Sequence, residues 1–303
     1  MTSDLARPGV HDVDRPADLP GAAWQRVLVQ VWRSSGEKGL WVAAAGVAFF
    51  AFLALVPALG LVVQAHGLLA GPEAVSSEVG ELGGFLPDEA MRALLGQLMG
   101  KAADAGAGFG WGIAGSLTLF FWSLLFAMRA LMAALNHAYR ETERRGFLAL
   151  NGRAILLGLC GLGLAVGSTA LLSGDPAALA SDPGWSRIAR IARWPFVAMI
   201  VALALAVFYR LGPCRTPPKW RWVIWGAVTG AFLWVLASYS FSIYVKQFAR
   251  YEAAYGLAGA VLTLMLWLYL LAYAVLLGAA LNAATERQTR LDTTVSAQRS
   301  SRE

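Results

Sequence analysis

The chain has 303 residues, 57% of them hydrophobic and 15% charged, with a net charge of +6. Ordinary soluble domains carry roughly 25% charge, so this balance excludes a typical soluble fold and points to a bilayer. Its two cysteines, Cys160 in an apolar run and Cys214 in a loop, exclude a disulfide scaffold and a CxxC metal or redox pair.

Residues 1–20 are polar and rich in Pro, Asp and Arg, and read as a disordered tail. Across 21–38, Trp24, Val27, Leu28, Val31 and Trp32 recur at helical spacing. That fits an amphipathic helix lying in the membrane interface, or a plain extension of the first span. Charge-free windows then mark spans at Gly39–Pro72, Ala105–Met128, Ala154–Gly174, Trp194–Tyr209 and Trp222–Val245. The first is too long, and starts too far in, for a cleaved leader. The fourth is short, but Arg193 and Arg210 at its ends can snorkel to the headgroups; a buried half-helix is the alternative. Last comes a run without charge between Glu252 and Glu286, 33 residues or about 50 Å of helix, against a hydrocarbon core of about 30 Å. The fold class is therefore all-α: a polytopic membrane protein with a six-helix transmembrane domain over 39–284. An interfacial helix precedes it, and a disordered tail follows at 285–303.

Lys and Arg gather in both tails, in the second connection (Arg140, Arg144, Arg145, Arg153) and in the fourth (Arg210, Arg215, Lys219, Arg221), and are sparse in the others. Positive charge stays on the cytoplasmic side, so both termini are expected there, in a bacterial inner membrane. Anionic lipid headgroups at that face are the expected partners, with no nucleic acid. The longest connection faces outward, and Met91, Leu94, Leu95, Leu98 and Met99 form a one-sided stripe that predicts a short outer helix. Two GxxxG pairs, Gly163/Gly167 and Gly226/Gly230, fit close packing within the bundle or a homo-oligomer seam. The tetrad AALN occurs at 133–136 and at 279–282, each at the inner end of a span; four common residues carry no weight alone.

Catalytic signals are absent from the sequence. His11, His66 and His137 are scattered, and there is no HExxH, GxSxG or P-loop. No cofactor or metal is expected. The informative residues are polar ones inside spans. Arg129 either snorkels to the inner interface or offers fixed positive charge to an anionic group; Asn136 follows on roughly the same side. Ser240 and Tyr244 share a face of the fifth span, leading toward Tyr255, and Asn282 ends the sixth. These six are the candidate polar or transport residues. Pro57 in the first span and Gly256 are candidate hinges, Pro57 equally a simple bend.

Four blocks, in order, resemble the YihY/virulence factor BrkB family, also carried under the older name ribonuclease BN. They are AAAGVAFFAFLALVP (43–57), WSLLFAMRALMAALNHAY (122–139), FYRLGPCRTPPKWRWVIWGAVTGAFLWVLASYSFSIYV (208–245) and YEAAYGLAGAVLTLMLWLYLLAYAVLLGAALN (251–282). One departure is Ala280, where the family commonly has Glu. The resemblance implies a six-span inner-membrane protein engaged in transport or export, with lipid-like molecules the working idea. A non-catalytic envelope scaffold is the alternative. A nuclease would need clustered His and Asp ligands, which this sequence does not supply.

Overall fold

The computed structural model describes residues 16–37, 39–70, 109–173, 183–216 and 218–288. The predicted outer helix at Met91–Met99 lies outside them. Among these residues six helices follow in order: α1 Gly21–Glu37, α2 Leu40–Ala70, α3 Phe109–Tyr139, α4 Phe147–Ser173, α5 Pro183–Leu211 and α6 Trp220–Glu286. Among the described residues there is no strand.

Two boundaries differ from expectation. Residues 16–20, read as part of a disordered tail, hold a 3-10 turn at Pro16–Asp18 with Leu19 buried, and the Pro20 carbonyl accepts the Ala23 and Trp24 amides that open α1. At the other end, Thr285 and Glu286 are not tail residues but the buried last turn of α6.

The 67-residue α6 would be about 100 Å long if straight. Yet the Gly226 amide reaches the Asn282 side chain at 2.7 Å, and Gly230 lies against Gly278. The run therefore doubles back into two antiparallel limbs, Trp220–Val245 and Val261–Glu286. The midpoint between 226 and 282, and between 230 and 278, is residue 254, beside the candidate hinge Gly256.

Both limbs, with Ala114–Tyr139 and Phe147–Leu164, are long and apolar enough to cross a membrane; Leu40–Leu55 and Pro195–Leu211 are apolar but shorter. The return limb is 50% buried and the other three 22–28%, so it is the most enclosed. The helical backbone of α2 continues through Pro57, whose missing N–H leaves the carbonyl one turn earlier without its usual partner.

The chain forms two compact units. One comprises Met1–Ala44, Leu131–Val235 and Tyr273–Glu303; the other comprises Ala45–Ala130 and Leu236–Ala272. In the first, Ala23 and Val27 of α1 are fully buried. Val27 packs on Leu281 and Ala284, while Trp24 meets the Trp225 ring at 5.9 Å. Helix α4 lies against α5, with Gly161 under the Phe208 ring. The α6 limbs cross where side chains vanish: a Cβ on Gly226 would meet the Gly278 carbonyl and the Asn282 amide, and a Cβ on Gly230 would come within 2.7 Å of the Tyr209 hydroxyl. The Gly226/Gly230 motif is thus used for packing within the chain. The second unit holds an aromatic cluster, with Trp122 on Phe126 at 4.6 Å and Phe126 on Phe50 at 6.0 Å.

Helix α3 ends in a Schellman turn. The Glu141 amide bonds the Asn136 carbonyl, the Arg140 amide bonds that of His137, and Arg140 takes φ 60°. Arginine in this left-handed conformation costs about 1 kcal/mol that glycine avoids. Arg140→Gly is expected to raise the thermal midpoint in detergent by about that free energy. Gly226→Ala is expected to lower stability by about 3 kcal/mol, the upper end for overpacking, because the clash is with backbone. Melts followed by circular dichroism check both.

Candidate functional site

Polar chemistry in the first unit centres on one ion pair. Arg215 lies in the connection between α5 and α6, and Glu286 on the last turn of α6. Their side chains are 0% and 3% exposed, and an Arg215 Nη1 proton is donated to Glu286 Oε2. The guanidinium stacks over the Tyr139 ring at 3.9 Å, and its Nη2 donates to the Tyr209 carbonyl at 3.4 Å. Charge, ring face and carbonyl thus come from α3, α5, the following loop and α6. Burying each charge costs several kcal/mol, which only a close, hydrogen-bonded partner offsets.

Single hydrogen bonds fasten the same elements around this pair. The Asn136 Oδ1 accepts the Cys214 amide at 2.7 Å, and its Nδ2 donates to Glu143 at 2.9 Å. Arg145 Nη2 donates to the Gly212 carbonyl, and Arg287 Nη2 to the Tyr139 carbonyl, each at 2.9 Å. The second places positive charge at the C-terminal end of α3, where the helix dipole favours it. The Tyr209 hydroxyl donates to the Val275 carbonyl at 2.6 Å, in the space left by Gly230 and Gly278. Asn282, fully buried, accepts the Gly226 amide at 2.7 Å and donates to the Val223 carbonyl at 3.1 Å.

In the α3–α4 connection, partial burial pushes the Glu143 carboxyl up. That is outweighed by hydrogen bonds from the Arg145 amide and the Asn136 side chain, by the Arg145 charge and by Cys214. The group is held below the usual carboxylate range.

Of the predicted residues, Asn136 and Asn282 enter this network, both as clamps on backbone groups. Arg129 belongs to the other unit, half-buried, with its guanidinium 5.7 Å from the Phe126 ring centroid. Ser240 and Tyr244 also belong to that unit and are exposed, Tyr244 stacking on Phe241 at 6.0 Å. Tyr255 and Gly256 lie on helical backbone, with their side-chain surroundings outside the described residues. Sequence reasoning missed Arg215 and Glu286, treating the first as a loop charge and the second as a tail residue. The available signal was that Glu286 closes the uncharged run without a break in helical pattern. Among the described residues no three His, Cys, Asp or Glu side chains gather where a metal ion would sit.

Apolar helices of spanning length, with buried Arg215 and Glu286 paired and Asn136 and Asn282 each holding a backbone amide, define a polytopic helical membrane protein. The chain belongs to the virulence factor BrkB family, whose model matches residues 31–302. It is 27% identical to the ribonuclease-like protein YfkH of Bacillus subtilis, over 82% of this chain and 90% of that one. It is 33% identical to the UPF0761 membrane protein IL2447 of Idiomarina loihiensis, over 54% and 57%. The UPF0761 membrane protein Smlt0865 of Stenotrophomonas maltophilia is 27% identical, over 84% and 59%. The match thus covers less than two thirds of the last two relatives. No solved structure matches the chain.

Two outcomes are expected. Asn282→Ala removes the partner of a buried amide and a buried carbonyl and lowers stability by about 1–3 kcal/mol in the same melts. The Glu143 carboxyl is more acidic folded than unfolded, so its stabilisation is present above the unfolded value of about 4.3 and is lost as pH falls through the lower folded value. Glu143→Gln flattens the acid limb of a midpoint-against-pH curve.

Proposed function

We propose that this protein is a transporter or exporter of the bacterial inner membrane that handles a lipid-like or anionic molecule. The observation that carries this reading is the buried Arg215–Glu286 pair. Ionisable groups at span ends are costly. A fully buried pair adds little to stability over apolar residues of the same volume. Such a pair serves an element that must exchange between arrangements better than one that must only stand still.

The six-span reading draws support from the whole helices. Leu40–Leu55 is part of the 31-residue α2 and Pro195–Leu211 of the 29-residue α5, about 46 Å and 44 Å long. The basic connections favour a cytoplasmic location for both termini. There α1 presents Leu28 and Trp32, 60% and 82% exposed, beside Arg33, a combination suited to anionic headgroups. In the second unit, Arg129 supplies the attraction for an anion. The glycine-tight α6 crossing favours a second reading, a filled scaffold that serves another membrane complex. The name of the Bacillus relative suggests RNA chemistry, but among the described residues no three His, Cys, Asp or Glu side chains gather to hold a metal ion for it.

Purified protein in anionic liposomes is expected to move fluorescent lipids or anionic solutes faster than empty liposomes do. Arg129→Gln should slow this about tenfold, the worth of one charge-assisted hydrogen bond. Flux equal to empty liposomes across a broad panel sinks the transport reading in favour of the scaffold.

A further inference from the structure

We infer that the Arg215–Glu286 pair is a breakable latch. It holds the α5–α6 connection onto the ends of α3 and α6, and it opens as a unit. The use of such a latch, to gate access at this end of the protein, rests on the transport reading above; the opening itself does not.

Several attachments of the connection gather at its start. Within Gly212–Arg215, the Gly212 carbonyl is held by Arg145, the Cys214 amide by Asn136, and the Arg215 side chain by Glu286 and the Tyr139 ring. The first two are single hydrogen bonds, to an arginine that is 10% exposed and to an amide near the α3 terminus. The third joins full charges. It also ties α6 to α3 indirectly, because Arg287, next to Glu286, holds the Tyr139 carbonyl. Loss of the ion pair therefore loosens three segments together.

Such a pair has two favourable states. Closed, each charge has its partner. Open, each charge recovers hydration, which offsets part of the attraction lost. Half-open states, with one charge buried and unpaired, are strongly disfavoured, so the opening is cooperative. Nearby packing is compatible with this. The α6 crossing at Gly226, Gly230 and Gly278 and its Asn282 clamp do not use either charge, and they hold the limbs together while the end opens.

Thr285 supplies the reporter. It is fully buried beside Glu286, and its hydroxyl bonds only its own helix, at the Leu281 and Asn282 carbonyls, so replacing it leaves the pair intact. Thr285→Cys is placed in full-length protein carrying Cys160→Ala and Cys214→Ser, and its reaction with a charged, membrane-impermeant maleimide is timed in detergent. Glu286→Gln is expected to speed labelling at least about tenfold, well within what removal of one partner of a buried pair allows. Arg144→Gln, an exposed charge in the α3–α4 connection whose side chain bonds Thr142, should leave the rate unchanged.

Labelling of Glu286→Gln at the parent rate, with unchanged elution and melting, overturns the latch. So does equal acceleration by Arg144→Gln. Should Glu286→Gln not fold, hydrogen exchange on the unmodified protein decides. Peptides over 209–216 and 279–288 must open at one shared rate, faster than 147–164 in α4; separate rates, or a rate no faster than α4, overturn it. Labelling requires no substrate. Failed flux with accelerated labelling therefore refutes transport and keeps the latch, whereas normal flux with unchanged labelling does the reverse.

Discussion

The first unit is organised by how closely the two limbs of α6 approach at Gly226, Gly230 and Gly278. Lipid offers no hydrophobic drive for helix association, so the limbs are joined by van der Waals contact and by hydrogen bonds that need the backbones near one another. With glycines at the crossing, Asn282 reaches a peptide amide and a peptide carbonyl on the facing limb, and the Tyr209 hydroxyl reaches Val275. A methyl group at the crossing would remove the space these bonds occupy. The placement of α5 and of the loop behind it follows from the same approach, because Tyr209 anchors the last turns of α5.

Beyond the crossing, chemistry changes from apolar contact to paired charge. Arg215, Glu286, Tyr139 and Arg287 bind elements that are distant in sequence, and each contact uses a charge or a helix-end carbonyl. Such groups specify an arrangement more than they stabilise it, since water competes for them as soon as it enters. The two halves of the unit therefore have different characters. The glycine crossing is held by shape and fixed dipoles, and the charged end by a buried ion pair. That division suits a membrane protein that opens at one end without coming apart.

Several features were legible in sequence because a bilayer imposes them residue by residue. Helical structure, the long apolar runs and the family follow from composition and from the order of short blocks. The repeated AALN tetrad had no statistical weight. In the folded chain its two asparagines perform the same task, each accepting a backbone amide from another segment at 2.7 Å. Neither role could be read locally, because both partners lie more than fifty residues away along the chain. Arg129 stood out because an intramembrane arginine is costly wherever it falls. Arg215 stood beside prolines in a polar stretch that resembles any solvated loop.

By itself, the sequence determined that this chain is helical, that it belongs in a membrane and which runs are apolar enough to cross, since those properties sum over neighbouring residues. Only the tertiary structure decided that the long uncharged run is the return limb of a doubled-back helix. It alone decided that three glycines are there for backbone contact, and that Arg215 and Glu286 are one buried object. Pairing across 71 residues depends on how the chain returns on itself. No local pattern of charge or hydrophobicity carries that information.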